Sequence, residues 1–173
     1  MKQDKAAPTG NAAPIDSAPQ QNEGQQPPAA RPSTHNDNPV HRKLGLKAGI
    51  RGLVVDPPED DNPLLPLPDG FLTVSDCNAA ASLPGTFDYI HFFVRDRADL
   101  AANLAQLKDR LSPAGALWIS WMGPTPDRRN SLRPADLNDT TIRRMALMHG
   151  LFVAKSVALD RQWSATKLTR RRH

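Results

Sequence analysis

The chain has 173 residues, 39% of them hydrophobic and 17 of them proline, and 22 Lys plus Arg against 18 Asp plus Glu give a formal net charge of +4. That length allows one domain with its own core, and an apolar share below the globular average beside so much proline marks part of the chain as non-folding. A lone cysteine, Cys77, excludes an intramolecular disulfide and a thiolate metal centre, and no apolar run approaches the roughly 20 residues of a membrane span or the hydrophobic core of an export signal, so the sequence reads as cytoplasmic.

Residues 1–40 are Ala, Pro, Gln, Asn, Ser and Gly with scattered charges, and Ile15 is nearly the only large apolar residue besides Met1. Such a segment cannot bury enough surface to offset the entropy of ordering it, so a disordered tail is expected over 1–40 and a single α/β domain over 41–173. His35 and His41 have no partners at metal-ligand spacing, and no metal site is expected. Residues 52–55 (GLVV) read as a short buried strand ended by Asp56-Pro57-Pro58.

In an open parallel sheet the ligand crevice lies beyond the carboxyl ends of the strands, so residues 56–61 are expected to line it. A nucleotide-type domain places a glycine-rich turn there, because glycine lets the backbone approach a ligand closely. This chain has DPPEDD. Pro57 and Pro58 offer no N–H, and Glu59, Asp60 and Asp61 repel phosphate, which argues against a phosphate cradle. Asp56 or Glu59 remains a candidate for the hydroxyls of a ribose, set against the commoner role of a solvated loop acid.

The stretch NPLLPLPDG is too proline-broken for a long helix, and Leu64, Leu65 and Leu67 are expected to form a short apolar lid. Residues 71–74 are a second strand with Asp76 near its tip. Asp76 is either a ribose ligand or, the favoured reading, the cap of the AAASL segment that follows. Cys77 reads as a small buried residue, not a nucleophile.

FDYIHFFV, RDRADLAANLAQLKDRL and SPAGALWISW then read as a strand, a helix, and a glycine-containing turn leading into a second strand over 117–121. Two continuous apolar strands joined by a helix lie parallel with a right-handed crossover. Tyr89 and His91 share one face, Ile90 and Phe92 the other. His91 is a candidate general base, although a histidine in so apolar a strand is more often a hydrogen-bonded core residue. Asp96 can cap the helix, and Leu100, Leu104, Leu107 and Leu111 form one stripe facing the sheet. Residues 117–121 end at the same edge as Asp56, which makes Trp121 either a stacking wall for a planar ligand or a large residue at the rim of the core.

TPDRRNSLRP is a basic loop in which Arg128 and Arg129 are candidate phosphate contacts. Asn138 is expected to cap a helix running to Gly150, with Leu137, Ile142, Met145, Ala146 and Met148 mostly inward. Residues 153–159 and 163–169 form an antiparallel hairpin. Beyond Asp160 there is no negative charge, and Arg170, Arg171 and Arg172 form a cationic end that could meet nucleic acid or an acidic partner, with little aromatic interleaving beyond Trp163.

Parallel strand–helix units that finish in an antiparallel hairpin define a reduced Rossmann-like, methyltransferase-type sheet, here with a short or missing helix after the first strand. The segments KLGLKAG, FDYIHFFV, LSPAGALWISW, DLNDTTIRRMALMHGLFVAKSVALD and WSATKL resemble a bacterial family designated domain of unknown function 3052. The most distinctive of them is Trp163-Ser164 followed by Lys167-Leu168. The resemblance covers about residues 40–172 and implies a class I methyltransferase-like fold without implying catalytic residues. Many relatives place a Pro-Lys pair where this chain has Met122-Gly123.

The residues point first to a non-catalytic binding or regulatory module with no cofactor and an unidentified partner, because no acid, base and nucleophile converge. The alternative is a small divergent adenosylmethionine-dependent methyltransferase using Asp56 or Asp76 and Trp121. Nucleic-acid binding through the arginines is a weaker third reading, and no contact with a membrane is expected.

Overall fold

The structure, a computed structural model, describes residues 38–123 and 137–171. The expected tail therefore lies, up to residue 37, outside the described residues, as do Arg128, Arg129 and Arg172.

Among the described residues the chain forms β1 (Gly52–Val55), β2 (Phe71–Val74), β3 (Phe87–Phe93), β4 (Leu111–Met122), β5 (Leu151–Ala158) and β6 (Trp163–Arg170), with helices α1 (Pro39–Leu44), α2 (Cys77–Ser82), α3 (Arg97–Asp109) and α4 (Asp139–Met148). They build one sheet in the order β2-β1-β3-β4-β6-β5. The first four of these run parallel, β6 is antiparallel to β4, and β5 is antiparallel to β6. The expected α/β architecture, mostly parallel with a C-terminal antiparallel hairpin, is the one observed. Residues 56–70 contain neither helix nor strand, so the helix after the first strand, expected to be short or missing, is missing.

Alternation along the strands divides the core into two layers. Leu53, Val55, Ile90, Phe92, Leu117 and Ile119 face α2, α3 and α4, where Leu100, Leu104, Leu107, Ile142 and Ala146 are all completely buried. Val54, Tyr89, Phe93, Trp118 and Ala165 face the other way, under Leu44, Leu46, Leu64 and Leu159. Part of this second cover comes from α1, which contributes Leu44 and is a helix the composition does not announce. Asn38 accepts the N–H of Val40 at 2.9 Å, Pro39 opens the helix, and Gly45 ends it at φ 75. His41 Nε2 lies 2.8 Å from the Leu64 carbonyl oxygen and ties the helix to the lid. In that lid Leu64 is buried and Leu67 packs beside it, whereas Leu65 is 57% exposed and belongs to neither layer.

Three expectations need correction. Leu111 does not end α3 but opens β4, and it stays in the same core layer. Between Phe87 and Tyr89 the register with β4 slips from Leu111 to Ala116, so Pro113 sits in a bulge where no ladder bond is required of it. β5 begins at Leu151, two residues before the predicted start. Met148 points outward and is 80% exposed. It lies six residues beyond Ile142, about 240° around the helix, so it leaves the inward stripe that Met145 and Ala146 continue. No helix among the described residues is long and apolar enough to cross a membrane.

Candidate functional site

β1 leads to β2 on one side, while β3, on its other side, leads away to β4. The strand order thus reverses between β1 and β3, and an open α/β sheet has its ligand crevice at that point, beyond the carboxyl ends. Asp56 stands there at the tip of β1. Its φ of 50° is a left-handed conformation uncommon outside glycine, and its N–H donates to the Val74 carbonyl of β2 at 2.9 Å. Its side chain is only 19% exposed.

The partner of that side chain comes from the other wall of the crevice. Arg95 follows β3, and its Nη2 lies 2.8 Å from each of the two carboxylate oxygens of Asp56. The backbone delivering Arg95 is held on both sides, because the Val94 N–H donates to the Ser120 carbonyl at 2.9 Å and the Arg95 N–H to Asp99 Oδ2 at 3.1 Å. The bond to Asp56, and then its charge, raise the guanidinium pKa further, so Arg95 stays charged. An ion pair therefore spans the switch-point crevice.

The other residues singled out by the sequence lie around or away from this pair. Asp76, at the tip of β2, is exposed and accepts the Ala79 N–H at 2.8 Å as the cap of α2. Glu59 is exposed on the loop leaving β1. Trp121 is 7% exposed and packs in the helix-side layer with Leu137. Cys77 lies buried beneath the crevice. Burial first, then the charges of Asp99, Asp56 and Asp76, push its thiol up to about 12, so it stays protonated and is no nucleophile. Arg170 sits at the opposite, amino edge of the sheet, where its guanidinium donates to the carbonyls of Lys108 at 2.6 Å and Leu111 at 3.1 Å. It straps β6 to the α3–β4 junction, while Arg171 beside it is exposed.

His91 occupies the layer away from α3. Its Nδ1 lies 2.9 Å from the Tyr89 hydroxyl and its Nε2 2.7 Å from the Ser120 hydroxyl, and all three residues are buried. Burial lowers its pKa to about 3, which keeps the imidazole neutral. It is a satisfied core histidine, on the face of the sheet opposite the α3 layer. Among the described residues no group of His, Cys, Asp or Glu could hold a metal ion.

The site residue missed in the sequence is Arg95, which is given no role there. Its pairing with Asp56 becomes visible once β1 and β3 are known to be neighbours.

No protein-family model and no curated protein sequence matches the chain. Solved structures do. Magnesium protoporphyrin IX methyltransferase from Synechocystis PCC 6803 with bound SAH aligns at a TM-score of 0.50 and 12% identity over 79% of this chain and 84% of that one. The same enzyme with bound SAM aligns at 0.51 and 12% identity over 79% and 80%. A candidate type 11 methyltransferase from Sulfolobus solfataricus aligns at 0.50 and 12% identity over 80% and 93%. At such identity the likeness is one of fold: the chain has a methyltransferase-type α/β fold.

Proposed function

We propose that this chain of methyltransferase fold is a non-catalytic binding or regulatory module that does not use adenosylmethionine as a cofactor. The observation that supports it is the Asp56–Arg95 ion pair, which engages the half-buried Asp56 carboxylate of the crevice wall. The composition of the adjoining turn agrees, since Pro57 and Pro58 remove two N–H donors where a close backbone approach to a ligand would need them. Among the described residues, Cys77 is held protonated and His91 lies in the opposite layer, which also agrees with it. The resemblance to the domain of unknown function 3052 family fits this reading, because that family implies a fold and no reaction.

A second reading, a small divergent adenosylmethionine-dependent methyltransferase, is favoured by one feature: Asp76 keeps an exposed carboxylate at the tip of β2. Isothermal titration calorimetry of the purified protein with adenosylmethionine separates the two. The expected result is no binding heat up to about 1 mM ligand. Micromolar binding that disappears in Asp56→Ala would refute the non-catalytic reading and favour the second.

A further inference from the structure

We infer that Arg95 is a built-in occupant of the switch-point crevice: its guanidinium fills the place on the Asp56 carboxylate that the hydroxyl or ammonium donors of an external ligand would take. The inference rests on the non-catalytic reading and deepens it, since it names the side chain that closes the crevice and the class of ligand it keeps out.

Four observations carry it. The ion pair joins the tips of adjacent parallel strands, β1 and β3, at the point where strand order reverses, so it lies across the crevice and not beside it. Arg95 is aimed before its side chain begins, because the peptide on either side of Val94 is bonded to Ser120 and Asp99. The two partners are unequally placed: the Asp56 side chain is 19% exposed and the Arg95 side chain 73%. The carboxylate thus belongs to the crevice wall, while the guanidinium covers it from the solvent side as a ligand would. Finally, the charges neighbouring the pair on the strand tips and at the start of α3 are mostly acidic, with Asp76, Asp96 and Asp99 at the same edge beside Arg97. Such a rim favours a ligand rich in donors and disfavours a phosphate.

Because the Arg95 side chain is mostly solvated, it contributes little to packing, so its truncation is expected to leave the fold intact. Removing it leaves Asp56 with two oxygens that no other described side chain satisfies. A ligand carrying a vicinal diol or an ammonium would be drawn to them. S-adenosylhomocysteine carries both and no phosphate.

The test is calorimetry with S-adenosylhomocysteine on the full chain as wild type, Arg95→Ala, Arg95→Gln and Arg95→Ala with Asp56→Asn, each checked for its melting temperature. Wild type is expected to show no binding. Arg95→Ala is expected to bind at least about tenfold more tightly than the wild-type detection limit, and the added Asp56→Asn to abolish that gain. Arg95→Gln keeps the stem and loses the charge, so it is expected to bind likewise and replaces the alanine variant should that one not fold. If the folded variants bind no better than wild type, Arg95 is not what closes the crevice and the non-catalytic reading stands alone. If wild type itself binds in the micromolar range, the crevice is open with Arg95 in place, and both readings fall.

Discussion

At the scale of single residues, His91 carries the most informative electrostatics in the core. Its ring is buried between two hydroxyl groups, so the folded chain holds the neutral imidazole and lowers the pKa to about 3. An unfolded chain takes up a proton near the ordinary histidine value of about 6.5. Between those limits the unfolded state binds the extra proton, so stability must fall as pH is lowered from about 6.5 toward 3, by up to about 1.4 kcal/mol per pH unit from this residue alone. Urea unfolding of wild type and His91→Gln at pH 7, 6, 5 and 4 should show the variant less stable at pH 7 but with a shallower pH slope, by about one proton. Parallel slopes would mean that His91 is not held neutral.

At the scale of elements, α3 shows why part of this fold was legible. Its leucines recur at steps of four and three, and Leu100, Leu104 and Leu107 all reach zero exposure against the sheet. Leu104→Ala is expected to cost roughly 2–5 kcal/mol, whereas Leu65→Ala, at a residue 57% exposed, should fall within about 0.5 kcal/mol of wild type. Denaturant midpoints measure both, and equal losses would contradict the division of core from lid. The strand–helix–strand unit could be read because its signals are local and long. α1 could not, since six residues hold too few turns for a period, although Asn38-Pro39 is a capping signal in retrospect. The start of β4 was hidden by Pro113 and Gly115, which suggest a turn where the structure has a bulge. Asp56 was placed correctly at a strand tip by its position after GLVV. Its partner lies 39 residues away, and only the order of strands in the sheet brings the two together.

At the scale of the whole molecule, the two core layers share the same strands. Leu53 and Val55 point to the helices and Val54 between them points away; Ile90 and Phe92 alternate with Tyr89 and Phe93, and Leu117 and Ile119 flank Trp118. A strand that leaves the sheet therefore strips side chains from both layers at once, and neither layer has a backbone of its own on which to persist. The described domain is expected to unfold as one cooperative unit. The tryptophans allow this to be checked, because Trp121 lies in the helix-side layer while Trp118 lies in the other, with Trp163 packed against it. A variant keeping only Trp121, made by Trp118→Phe with Trp163→Phe, reports one layer. A variant keeping only Trp118, made by Trp121→Phe with Trp163→Phe, reports the other. Within each variant the fluorescence transition in urea should coincide with the far-ultraviolet circular dichroism transition, with the same midpoint and slope. A Trp118 signal that changes before the dichroism does would show that α1 and the 62–67 lid open separately from the sheet, and the second layer would then be a detachable cover, not half of a common core.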